Sequence, residues 1–151
     1  VTMHRRENHK HMRRWFAAIE QLANHYHDYE FLLPLHPNPK VQEAADVLDK
    51  VNIIKPLEHK DLLYLLARSS MVITDSGGIQ EEASFYGKKI LVCRTQTERP
   101  SPNQILVSEP NTLVASFHKM MKQDINKTEC PFGDGQSSQR IYSIMKEYNL
   151  L

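Results

Sequence analysis

The chain has 151 residues, 40% apolar and 25% charged, with a formal net charge of +1, which fits one compact domain with a real core. A near-neutral balance argues against nucleic-acid or anionic-membrane partners, which select a basic excess. No apolar run approaches the ~18 residues of a membrane span, and the first residues lack a signal-peptide pattern. Val1-Thr2-Met3-His4 passes from apolar to polar like the end of a strand. We therefore expect a fragment, or the second half of a longer chain. Trp15, Phe16, Ile19, Leu22, Ala23 and Tyr26 recur at helical spacing and predict a helix over 11–27. "EFLLPL" (30–35) is a short apolar run that "HPNP" (36–39) stops with two prolines. A helix is expected over 40–50, a strand within 51–57, a helix over 59–69 and a strand at 71–74. A helix over 78–86, a strand at 88–94 and a helix over 111–123 follow. Ile141, Ile144, Met145 and Tyr148 share one side of a last helix.

Short continuous apolar strands alternating with amphipathic helices predict an α/β, Rossmann-like parallel sheet with helices on both faces. Ligands of such sheets bind beyond the carboxyl ends of the strands. Attention falls on His4-Arg5-Arg6, His36-Pro37-Asn38, Asp75-Ser76-Gly77-Gly78 and the loop from Arg94 to Arg99.

"TDSGGIQEE" (74–82) admits two readings. Gly77 and Gly78 would allow positive φ and close approach to a ligand, and the free N–H groups of the following helix would suit a diphosphate. Equally, the stretch is a helix entry whose acids, Glu81 and Glu82, compensate the dipole. "TMHRREN" (2–8) sets an imidazole and two guanidinium groups at a strand end, either a phosphate and proton-transfer site or a solvated basic loop continued by Arg13 and Arg14. His36 is either a loop histidine or a ligand contact. The eight histidines show no paired-ligand pattern, so no metal is expected. Met120-Met121 suits a core or an interface. Cys93 and Cys130, without CxxC spacing, point to reduced thiols in a cytoplasmic protein. No other cofactor is indicated.

Together, "HRREN", "HPNP", "TDSGGIQEE", "RTQTERP" and "FGDGQSSQRI" resemble the non-hydrolysing UDP-N-acetylglucosamine 2-epimerases, in order and spacing over nearly the whole chain. The resemblance implies that residues 1–151 are the carboxy-terminal, UDP-binding domain of a two-domain architecture like that of the GT-B glycosyltransferases. It implies interconversion of UDP-GlcNAc and UDP-ManNAc for bacterial surface polysaccharides, by anti elimination of UDP and its readdition. Ser76, Gly77 and Gly78 are then expected on the phosphates, Glu82 on the ribose, Arg99 by the diphosphate or sugar, and backbone near Leu62 on the uracil. His4 is the expected catalytic histidine. Arg5 and His36 join it at the interdomain cleft, where bacterial members also bind a second UDP-GlcNAc as an activator. The full-length protein is expected to be a homodimer, and the fragment alone to be inactive without its amino-terminal domain. Two positions depart from the family pattern: Lys89 replaces a usual Pro, and Ser101 replaces a usual Glu after "TERP", removing a carboxylate near the cleft. A GT-B glycosyltransferase donor domain and a non-catalytic nucleotide-binding module remain the competing readings, separable by transfer to an acceptor and by UDP binding without turnover.

Overall fold

Successive side chains of a strand turn to opposite faces, and here both faces are apolar, so both must be covered. In a computed structural model, which describes residues 1–125 and 130–150, the five strands are β1 (Leu32–Pro34), β2 (Asn52–Ile54), β3 (Met71–Thr74), β4 (Lys89–Val92) and β5 (Gln104–Leu106). All pairings between them are parallel, β1 with β2 and β4 with both β3 and β5. The chain start joins the two sets. The Val1 nitrogen donates to the Leu32 carbonyl at 2.8 Å, and Thr2 pairs with Thr74, its N–H donating to Ile73 at 2.9 Å. The spatial order is therefore β2, β1, residues 1–2, β3, β4, β5, the Rossmann order. The strand-like character read at Val1–His4 is thus seen in the pairing of Thr2.

Helices α1 (Met12–His25), α2 (Pro39–Ala44) and α5 (Leu113–Lys122) cover one face. Their Trp15, Phe16, Ile19, Val41, Leu113 and Phe117 pack with Ile73 and Leu91 of the strands. On the other face α3 (His59–Arg68) and α4 (Gly77–Phe85) bring Leu66, Ile79 and Ala83 against Val72, Ile90 and Val92. Each Val, Leu or Ile among them contributes about 1.5–3 kcal/mol by leaving water. Trp15, at 1% exposure, is among the costliest positions to truncate, since Trp→Ala in a core costs about 3–5 kcal/mol.

Several expected elements differ. The helix read over 40–50 ends at Ala44. Asn38 caps it by accepting the Lys40 N–H, Pro39 opens it, and a 3₁₀ turn at Ala45–Val47 replaces its second half. The sequence pattern also missed β5 and a 3₁₀ segment at Arg6–His11. The last helix, α6 (Ser137–Glu147), buries no residue: Ile141, Ile144 and Tyr148 are exposed and Met145 is half-buried. Its start is tied by Arg140, whose bidentate contact with Asp134 (2.8 and 2.6 Å) holds that carboxyl well below its usual range. Met120 lies in the core. Lys89 begins β4 and reaches the Met121 carbonyl at 3.2 Å, a contact Pro could not make.

Candidate functional site

The residue that organises the carboxyl end of the sheet is Asp75, immediately after β3 and fully buried. A buried carboxylate must be hydrogen-bonded to be tolerated. Asp75 accepts the backbone N–H of His4 (3.1 Å to each oxygen), that of Arg5 (2.9 Å) and the Asn8 amide (3.0 Å). Arg5 returns through its Nε to the Asp75 carbonyl at 3.0 Å. Asn8 also donates to the Cys93 carbonyl at 2.9 Å, drawing in the end of β4. The "HRREN" segment is thus wrapped around one carboxylate, which fixes the direction in which His4 leaves the sheet. Burial, with Asp75 alongside, pushes the Cys93 thiol well above its usual range.

His4 lies nearly parallel to His36, with ring centroids 5.2 Å apart and planes 15° apart. Its Nδ1 is 3.8 Å from Asp75 Oδ1. His36 Nδ1 accepts the Asn38 N–H at 3.1 Å, which leaves Nε2 to carry the proton of the neutral ring. Both imidazoles border a cleft of about 290 Å³, together with Pro56, Leu57, Leu62 and Ser76. A larger cavity of about 430 Å³ opens at the amino-terminal ends of β1 and β3, between Phe31 and Met71. It lies away from the strand ends where this fold binds ligands. The smaller cleft is therefore the candidate site.

Beside the cleft, α4 begins without a side-chain cap. Ser76 is extended at the N-cap, and its own N–H goes to Thr74 Oγ1 at 3.0 Å. The first-turn N–H groups then have no intrahelical acceptor, and the helix dipole adds positive potential there. Positive φ was one reason expected for the two glycines, but neither adopts it. What Gly77 provides is room: a Cβ there would stand 2.6 Å from Arg99 Nη1 and 2.9 Å from its Cζ. Gly78 has open space around it. The Arg99 guanidinium thus lies across the start of α4, held by Glu81 and Glu98. Its loop is pinned by Thr97, which donates to the buried Gln80 at 2.6 Å and accepts the Arg99 N–H at 3.1 Å. Arg94 extends the chain of charges, contacting Glu7 at 2.8 Å and Glu98 at 3.2 Å.

The expected dipole role of Glu81 is corrected by this geometry: the first turn of α4 holds no acid, and Glu81 pairs with Arg99 one turn later. Glu82 also lies in the second turn and accepts a hydrogen bond from His59 Nε2 at 2.6 Å. The fold gathers His4, His36, Leu62 and Ser76 on one cleft. Gly77, Gly78 and Arg99 adjoin it at the helix start, whereas Arg5 is turned to Asp75 and Glu82 to His59. Ser101 is half-buried in the loop before β5. As single polar residues, Asn8, His59, Gln80 and Thr97 carry no local pattern that marks their hydrogen-bond partners. Asp75 stood out only by its place after a strand. Among the described residues no group of three His, Cys, Asp or Glu could hold a metal, and no helix is long and apolar enough to cross a membrane.

Residues 1–146 match the family model described as UDP-N-acetylglucosamine 2-epimerase. The UDP-N-acetylglucosamine 2-epimerase of Neisseria meningitidis serogroup A is 35% identical over 96% of this chain, which spans 43% of that protein. A crystal structure of UDP-GlcNAc 2-epimerase from N. meningitidis bound to UDP-GlcNAc superposes with a TM-score of 0.86 at 35% identity, over 97% of this chain and 43% of that one. The S. aureus MnaA–UDP structure does so with a TM-score of 0.86 at 33% identity, over 99% of this chain and 44% of that one. The chain thus spans less than half the length of these relatives.

Proposed function

Because the chain belongs to the UDP-N-acetylglucosamine 2-epimerase family, we propose that it is the UDP-binding, carboxy-terminal half of a non-hydrolysing epimerase interconverting UDP-GlcNAc and UDP-ManNAc. The observation that carries this reading is the convergence of His4, His36, Leu62 and Ser76 on one cleft beside the uncapped start of α4. Relatives solved with UDP and with UDP-GlcNAc support the ligand class.

In this reading the uracil lies against Leu57 and the backbone near Leu62, and Glu82 takes the ribose hydroxyls. The diphosphate meets Ser76, the N–H groups of Gly77 and Gly78, and the Arg99 guanidinium. The reaction begins with loss of the C2 proton and cleavage of the bond between C1 and the UDP oxygen, leaving 2-acetamidoglucal and UDP. UDP then re-forms its bond to C1 while C2 takes a proton on the opposite face. Holding charge that develops on a leaving diphosphate is electrostatic work suited to preorganised N–H donors and an arginine. His4 acts at the sugar end of the cleft, and the groups that handle the C2 proton come from the other domain. Arg5 and His36 border a second UDP-GlcNAc, the activator. The enzyme works as a homodimer in the cytoplasm and supplies ManNAc units for surface polysaccharide; its two unpaired cysteines agree with a reducing compartment.

The test is NMR observation of UDP-GlcNAc with the full-length protein and with the 151-residue chain. Conversion to UDP-ManNAc by the full-length protein alone is expected. Release of free ManNAc and UDP, or transfer of the sugar to an acceptor without epimerisation, would overturn the assignment.

A further inference from the structure

We propose that His59 is a positioning residue that orients the Glu82 carboxylate toward the ribose of the bound nucleotide; this rests on the UDP reading above and deepens it. His59 is the first residue of α3, and its ring crosses to α4, where Nε2 donates to Glu82 Oε1 at 2.6 Å. Among the described residues the second oxygen, Oε2, takes no hydrogen bond, so one face of the carboxylate is fixed and the other remains free for a ligand hydroxyl. The glutamate side chain is 28% exposed and the histidine 69%, and neither lines the cleft itself, so the contact lies beside the cleft and not in its wall.

Helical spacing explains why this contact bears on the cleft. Residues three apart share a helix face. His59 therefore shares a face with Leu62, one turn later on α3, and Glu82 with Ile79, one turn earlier on α4; Leu62 and Ile79 both line the cleft. The hydrogen bond thus joins the helix faces that carry two of the cleft's apolar side chains. A free glutamate spreads over many rotamers, and a ligand that needs one of them must order it. The contact with His59 has done so in advance, which is preorganisation in the usual energetic sense. The neighbouring Glu81, turned to Arg99, cannot substitute.

The experiment is calorimetric titration of the full-length protein and its His59→Ala, His59→Gln and Glu82→Ala variants with UDP and with 2′,3′-dideoxy-UDP, each variant checked by thermal melting. Wild type is expected to prefer UDP. His59→Ala should weaken UDP binding roughly five- to tenfold and leave dideoxy-UDP unchanged, with His59→Gln restoring part of the loss through its amide donor. In the Glu82→Ala background, His59→Ala should change nothing further. A His59→Ala protein that discriminates the two nucleotides as wild type does, or that loses affinity for both equally, would overturn the role of His59 alone. A wild type that binds both nucleotides equally would overturn the ribose role of Glu82, and one that binds neither would overturn the nucleotide site itself.

Discussion

Gly77→Ala separates binding from folding, because the two effects have opposite signs. The added methyl would stand 2.6 Å from Arg99 Nη1, 2.9 Å from Cζ and 3.2 Å from Nε. What gives way is the end of a flexible side chain, not backbone. In a helix interior alanine is favoured over glycine by about 0.5–1 kcal/mol, and by less at this first helical position, so the melting temperature should hold or rise slightly. The displaced guanidinium, however, no longer lies across the start of α4. A charge-assisted hydrogen bond from arginine to a diphosphate is worth about 1.5–3 kcal/mol, so UDP affinity should fall roughly ten- to a hundredfold. Calorimetric titration with UDP beside a thermal melt measures both quantities on one sample. The same substitution in an Arg99→Ala background should cost little more, because the partner it displaces is gone. Tight UDP binding by Gly77→Ala, or an undiminished loss in the Arg99→Ala background, would refute the steric link between the two residues.

Asp75→Asn should destabilise the fold by about 1–3 kcal/mol: its amide replaces one acceptor oxygen with a donor among the N–H groups of His4, Arg5 and Asn8. Urea unfolding followed by circular dichroism measures this, and an unchanged midpoint would deny Asp75 its organising part. His4→Ala in the full-length enzyme should lower turnover at least tenfold with UDP affinity changed little. NMR rates together with calorimetry check this, and wild-type turnover would remove His4 from the chemistry. Cys130, half-exposed, should react with a thiol reagent before Cys93, whose buried thiol resists ionisation. Mass spectrometry of partly labelled protein reads the order, and early labelling of Cys93 would contradict its burial.

The parts of the fold visible in the sequence are those set by local pattern. The helix around Trp15 and the strands Met71–Thr74 and Lys89–Val92 follow from apolar spacing, and all are present. β5 is three residues long and half-exposed, and it follows Pro100 and Pro102. It is held as a strand by β4 and not by its own composition, so no pattern marks it. The 40–50 segment has helical composition throughout. Its second half is instead drawn toward α1, where Arg13 pairs with Asp46 and Glu20 accepts the N–H groups of Lys50 and Val51. The position of the site was legible from strand ends, but its internal wiring was not. Asp75 and Asn8 meet across sixty-seven positions, and His59 and Glu82 across twenty-three. Gly77 was read for backbone freedom, whereas its neighbour in space, Arg99, explains it.

The chain start has a further consequence. Thr2 finds its partner seventy-two positions downstream and Val1 finds its own thirty-one positions downstream, so the two edges of this strand are closed by loops of different length. The shorter loop costs slightly less entropy to close, so this strand docks a little more readily on the half bearing His36 than on the half bearing Ser76. His4 rides on the seam where they meet. A nucleotide laid between Leu57 and Ser76 would span that seam like a clasp, and the ligand would then help hold together the very site that holds it.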